Sequence, residues 1–140
     1  MGGTRCGRIR STTKRKIENE IQNTKKIIIK TKCDAVKLEG GKKIYNIVKA
    51  LTKNNIPVMG HLGLLPQSDK TFKFKGKKIS ERKKILNDAK LLEDAGVFSI
   101  VLECVETSLA KKITNEINIP TIGIGASNNC DGQILVLDDL

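Results

Sequence analysis

Apolar and polar residues follow two rhythms along this chain. Ile17, Ile21, Thr24 and Ile28 recur at helical spacing, which predicts an amphipathic helix over Ile17–Lys30. Short apolar runs then replace that rhythm. AVKLE, IPVMGH, SIVLEC and IPTIGIG are each a strand-length run whose far end is polar or glycine-rich. Helix-like stretches lie between them, at Lys43–Asn54, at Glu81–Ala95 with a Gly96 stop, and at Ser108–Glu116. Asn55-Ile56-Pro57 and Asn118-Ile119-Pro120 both put proline at a strand entry, where its missing N–H is tolerated. QILVL at Gln133–Leu137 predicts one more strand.

The repeat has a pitch. Glu39 to His61 and Glu103 to Gly125 are both 22 residues, whereas His61 to Glu103 is 42, because a loop around Pro66–Ser80 is inserted. Strand–helix alternation at this pitch predicts βα units and a parallel sheet. Burial on both faces explains strands that are apolar throughout.

One residue breaks the pattern. Glu103 sits inside FSIVLECV, the most strand-like run of the chain. Burying an unpaired carboxylate is costly, so such a group is paired, metal-bound or protonated. In βα folds, ligands bind at the carboxyl ends of the strands. Lys37 and Glu39 are two apart on one strand and face the same way. His61 and Glu103 close the next two strands, and GIGAS at Gly123–Ser127 offers backbone N–H groups to an anion. A cation, two carboxylates and an imidazole are therefore expected around one pocket, with Glu103 as the catalytic group. Each residue also has a plainer reading. Lys37 and Glu39 form a partly buried ion pair; His61 is a satisfied core imidazole; Glu103 only accepts bonds from a neighbouring strand; GIGAS is tight packing. The lysine-rich KTFKFKGKK (Lys70–Lys78) is a solvated face, or a surface for an anionic cofactor.

Composition narrows the class. The 140 residues suffice for one domain with a core of Ile, Leu and Val, since aromatics make up only 3%. No apolar run approaches the ~20 residues of a membrane helix, and the N-terminal stretch carries no signal-peptide core. Cys6, Cys33, Cys104 and Cys130 form no C-x-x-C pair, which reads as reduced thiols in a cytoplasmic protein. The net charge of +11 suggests nucleic acid only until it is located. Residues 1–33 hold ten Lys/Arg against two acids, and the remainder sixteen against thirteen. The excess sits at the head, and the body lacks aromatic platforms for bases, so nucleic acid is not the expected partner. Residues 1–16 form an expected disordered basic head, and residues 17–140 the folded domain.

The same segments carry a family resemblance. DAVKLEGG (Asp34–Gly41), PVMGHLGLLPQS (Pro57–Ser68), VLECV (Val101–Val105), IPTIGIGA (Ile119–Ala126) and CDGQILVL (Cys130–Leu137) resemble ketopantoate hydroxymethyltransferase in family order, and GHLGL-x-PQS is highly specific. The resemblance implies a (β/α)8 TIM barrel, dependent on Mg²⁺ and assembled as a homo-oligomer. It implies hydroxymethyl transfer from 5,10-methylenetetrahydrofolate to 3-methyl-2-oxobutanoate, giving 2-dehydropantoate in pantothenate biosynthesis. Lys37 would then bind the keto acid, Glu39 would belong to the Mg²⁺ site, Glu103 would accept the proton, and His61 would line the pocket.

The departures shape a further expectation. A complete barrel takes about 250 residues. The resemblance spans strands four to eight, giving a partial TIM barrel, and strands one to three, with their Mg²⁺-binding aspartates, have no counterpart. Leu65 stands for the usual threonine, Glu106 for the proline after LECV, and Ser127 for the last glycine of GIGAG. The expectation is a truncated relative: another polypeptide supplies the rest, or the chain is a non-catalytic remnant or assembly partner.

Overall fold

The structure is a computed structural model and describes residues 14–137. In chain order the elements are α1 (Lys14–Thr31), β1 (Val36–Glu39), a 3-10 turn (Lys42–Ile44) running into α2 (Tyr45–Lys53), and β2 (Val58–Gly63). Then come α3 (Ile79–Asp94), β3 (Ser99–Glu103), α4 (Thr107–Glu116), β4 (Thr121–Ile124) and β5 (Gly132–Gln133). The five strands form one parallel sheet in sequence order, β1-β2-β3-β4-β5. This is the α/β architecture of a partial (β/α)8 barrel, in which each strand pairs with the next.

The period of two along each strand sorts the side chains onto two faces. Val36, Leu38, Val58, Leu62, Ile100 and Leu102 point to the helical layer and are buried in the main core. From the helices, Ile47, Val48 and Leu51 of α2, Ile85, Ala89 and Leu92 of α3, and Leu109 and Ile113 of α4 meet them. Full burial of each such aliphatic side chain contributes roughly 1.5–3 kcal/mol. Ile17, Ile21 and Ile28 of α1 pack on the same cluster, with Thr24 buried among them. The opposite face of the sheet carries Lys37, Glu39, Met59, His61, Ser99, Val101 and Glu103.

Two expectations are corrected. The helix starts at Lys14 rather than Ile17. Lys and Arg are good helix formers, and N–H groups in a first turn need no intrahelical partner, so the periodic segment extends backward through Lys14–Lys16. The expected disordered head thus loses residues 14–16, while residues 1–13 lie outside the described residues. The second correction concerns QILVL. Only Gly132 and Gln133 pair with β4, and Ile134 N–H donates to the Gly123 carbonyl at 2.9 Å before the ladder ends. Ile134, Leu135 and Leu137 are exposed. A parallel strand needs cover on both faces, and no described element packs over these three side chains.

Candidate active site

Register decides which side chains meet. Glu39 pairs with His61 across β1 and β2, and Gly63 pairs with Glu103 across β2 and β3. Residues paired in a parallel ladder share a face, so the carboxyl ends of three neighbouring strands bring Glu39, His61 and Glu103 together. Nδ1 of His61 lies 3.8 Å from Oε1 of Glu39, and Nε2 lies 3.0 Å from Oε2 of Glu103. The imidazole is 1% exposed and the two carboxylates 14% and 12%. The 3.0 Å separation is a hydrogen-bond length, yet the ring is turned so that neither nitrogen makes a well-directed bond. A buried imidazole without a directed partner costs free energy and calls for a water, an ion or a functional contact.

Lys37 completes the group electrostatically. Burial raises the Glu39 pKa above the ordinary carboxylate value, opposed by the Gln67 N–H and the Lys37 ammonium, while Asp69 adds to the rise. That N–H donates to Oε2 of Glu39 at 3.2 Å. Burial, with Lys37 second, lowers the His61 pKa to about 4, and the Leu64 backbone pulls the other way. The ring is therefore neutral at physiological pH and has a single N–H to give.

Local backbone serves the same rim. Gly63 has φ +95, and a Cβ there would strike the carbonyl oxygen of Glu103. Only glycine lets β2 run this close to the carboxyl end of β3. Cys104, immediately after Glu103, holds the left-handed conformation with φ 50, sparsely populated for a non-glycine residue. Its carbonyl accepts from Lys75 N–H at 2.8 Å, and its own N–H donates to Ile124 at 2.8 Å.

The loop after β2 supplies Asp69, which carries no signal in the sequence, and brings it to Lys75 of the lysine-rich run. Asp69 accepts the Leu65 N–H at 2.8 Å and pairs with Lys75 at 3.1 Å. Burial would raise Asp69, but the Leu65 N–H and Lys75 outweigh it and hold the pKa below the ordinary value. A cleft of about 300 Å³ opens beside this loop, lined by residues including Pro66, Asp69, Lys70, Phe72, Glu103 and Val136. Within GIGAS, Gly123 packs against Gln133 and Cys130, Ser127 Oγ accepts from Asn129 N–H at 3.1 Å, and Gly125 is exposed. The Ala126 carbonyl accepts from the Thr107 hydroxyl at 3.1 Å, and the Ser127 carbonyl from the Gln133 side-chain amide.

Mg²⁺ prefers about six oxygens in octahedral geometry. Glu39 offers one carboxylate, already engaged by the Gln67 N–H. Among the described residues, no group of three or more His, Cys, Asp or Glu is placed to hold a metal ion. These residues do not by themselves fit Mg²⁺. Nor is any helix of the described residues long and apolar enough to cross a membrane.

The fold and rim define a class: a parallel βα protein of the barrel kind, with its ionisable groups gathered at the carboxyl ends of the strands. Sequence comparison gives the family. The family profile described as ketopantoate hydroxymethyltransferase matches residues 10–140, and the chain belongs to that family. A Pelagibacter ubique protein named 3-methyl-2-oxobutanoate hydroxymethyltransferase is 70% identical over 128 residues, covering 91% of this chain and 50% of its own length. Relatives of the same name from Clostridium botulinum and Pyrobaculum neutrophilum are both 53% identical, over 127 and 126 residues. They cover 89% and 88% of this chain and 46% and 48% of their own lengths. The chain spans about half the length of the curated relatives it matches.

Proposed function

We propose that the chain serves hydroxymethyl transfer from 5,10-methylenetetrahydrofolate to 3-methyl-2-oxobutanoate, giving 2-dehydropantoate for pantothenate biosynthesis. The observation that carries this reading is the contact of Glu39, His61 and Glu103 across three strand ends, with Lys37 acting on two of them.

The chemistry requires a proton to leave the carbon beside the ketone. Glu103 is the base, on the lip of the cleft. Lys37 binds the substrate carboxylate and fixes its orientation. Neutral His61 lines the pocket between the two carboxylates. The carbanion-like carbon then forms a bond to the methylene carbon of the folate. One water is consumed: its hydroxyl remains on the transferred carbon, while its proton and the one Glu103 removed end on the two folate nitrogens. Glu39 would offer Mg²⁺ one carboxylate, which alone does not make a site, and the ion would supply a sink for charge developing on the keto oxygen. A cytoplasmic setting and a homo-oligomer go with this reading.

The test has two arms. Purified chain is assayed for 2-dehydropantoate with both substrates and Mg²⁺, alone and with the first half of the Pelagibacter ubique relative added. Loss of the C3 proton of 3-methyl-2-oxobutanoate in heavy water is followed by NMR without the folate. Product in either mixture, with proton exchange, supports the reading; neither in both mixtures eliminates catalysis. A second reading, a non-catalytic assembly partner of such a barrel, is favoured by the single carboxylate available to Mg²⁺. It predicts complex formation with the added half without turnover.

A further inference from the structure

We propose that Arg82 is a positioning residue for the rim. It clamps Lys75–Gly76 against the chain that follows Glu103, and so holds that carboxylate toward His61. This rests on the reading of Glu103 as the base and deepens it by naming what aims the side chain.

The need for a clamp lies in the backbone. Glu103 ends β3, and Cys104 directly after it holds the left-handed conformation with φ 50. A non-glycine residue persists there only where its surroundings hold it. Cys104 is held on both sides: its N–H donates to the Ile124 carbonyl, and its carbonyl accepts from Lys75 N–H, each at 2.8 Å. The Lys75 carbonyl in turn accepts Glu106 N–H at 2.9 Å, and Lys75 bridges Val105 in parallel sense. One loop residue thus acts as a strand beside residues 104–106.

So short a pairing is marginal in water and needs an anchor. Arg82 supplies it. Its Nη1 donates to the Gly76 carbonyl at 3.1 Å and to Oε2 of Glu106 at 2.6 Å, while Nη2 donates to the Ser108 hydroxyl at 2.9 Å. The planar fork of a guanidinium serves several acceptors at fixed angles, which an ammonium does not. Glu81, the residue before Arg82, accepts Gly76 N–H at 2.7 Å. Consecutive residues of α3 therefore take both backbone groups of Gly76. That glycine has φ +85, and a Cβ on it would strike Leu109 of α4. The segment is wedged between the first turns of α3 and α4.

A second ion pair between the same helices gives the contrast. Lys90 Nζ lies 2.6 Å from Oε2 of Glu116, near the last turns of α3 and α4 and remote from the rim. If Arg82 merely tied α3 to α4, losing either pair would have the same consequence. If it aims Glu103, only the Arg82 end reaches His61. The imidazole reports this directly, because His61 is the single histidine of the chain and its Nε2 lies 3.0 Å from Oε2 of Glu103.

The experiment uses the full chain and follows the imidazole nitrogen NMR signals of His61, with Glu103→Gln marking where Nε2 resonates once the carboxylate is gone. In Arg82→Gln the Nε2 signal should move toward that mark, and amide exchange at Lys75 and Glu106 should quicken about tenfold. Lys90→Gln should leave both at parent values. Arg82→Lys keeps the charge beside Glu106 but not the fork, so it carries the same test where Arg82→Gln does not fold. Loss of the C3 proton of 3-methyl-2-oxobutanoate should slow about tenfold to a hundredfold in the Arg82 variants, with KM unchanged. An unmoved His61 signal in the Arg82 variants overturns the assignment, and so does an equal move in Lys90→Gln. If the parent chain removes no proton, the function proposed above fails, while the His61 signal still decides whether Arg82 sets the place of Glu103.

Discussion

His61 Nε2 lies 3.0 Å from Glu103 Oε2, and the imidazole that makes this approach is buried and neutral. A charged imidazolium there would quench the carboxylate as a base. A neutral ring packs against the carboxylate without pairing with it as an ion. The two residues sit on adjacent strands, with Val101 and Gly63 as their respective register partners, so backbone pairing sets the separation.

The first prediction concerns Glu103 as the proposed base. Glu103→Gln keeps the side-chain shape and removes the lone pair that takes the proton. Turnover should fall by about 10²–10⁴, the usual weight of a positioned base, while 3-methyl-2-oxobutanoate affinity stays near the parent value. Steady-state 2-dehydropantoate formation with keto-acid dialysis checks both halves. An unimpaired rate removes Glu103 from the role.

Lys37→Met should divide its effect the other way. The aliphatic stem is retained and the ammonium lost, so KM for the keto acid rises by about tenfold to a hundredfold, an ion-paired contact being worth ~1.5–3 kcal/mol. The change in kcat should be smaller. A variant with unchanged KM and depressed kcat would show that Lys37 acts on the reaction rather than on binding.

Much of this arrangement was legible before any coordinates. Four strands could be read because βα units repeat apolar runs with polar ends, and the single carboxylate inside FSIVLECV pointed to the rim. Asp69 did not stand out, because its pairing with Lys75 depends on the path of an aperiodic loop. The oddity of charge in KTFKFKGKK was visible, but its closure against Val105 and Glu106 was not. QILVL misled for a related reason: periodicity reports strand preference, whereas pairing beyond Gln133 needs a neighbouring layer. His61, a lone histidine, carries no spacing signal. Register alone reveals that it stands between both carboxylates.

Gly63→Ala tests the close approach of β2 and β3. Its φ of +95 disfavours any Cβ, and that Cβ would meet the Glu103 carbonyl. Strain and overpacking together should cost on the order of 3 kcal/mol in urea unfolding. If the chain instead retains full stability, the two strands separate there more easily than this geometry implies.

Glu106 offers a pH-dependent test away from the reacting groups. Its carboxylate caps α4, accepting the Ser108 and Leu109 N–H groups at 3.1 Å each, and it takes the Arg82 guanidinium and the Ser108 hydroxyl at 2.6 Å. The Ser108 hydroxyl first, then Arg82 and the backbone N–H groups, pull its pKa from 4.5 to about 2. The sign follows from proton linkage. Below 4.5 the unfolded chain takes up a proton that the folded chain refuses, so the stabilisation is whole above 4.5 and lost as pH falls toward 2. Glu106→Gln keeps a cap oxygen but no charge, so it should be less stable than the parent at pH 7, by about 0.5–2 kcal/mol on the scale of helix caps. The gap between the two melting curves should close between about pH 5 and pH 2.5. Since the same carboxylate joins Arg82 to α4, and Arg82 holds the Gly76 carbonyl, the variant should also loosen the loop that carries Phe72. Faster amide exchange at Gly76 and Lys75 measures that, and a gap between the melting curves that ignores pH would mean the cap works without its charge.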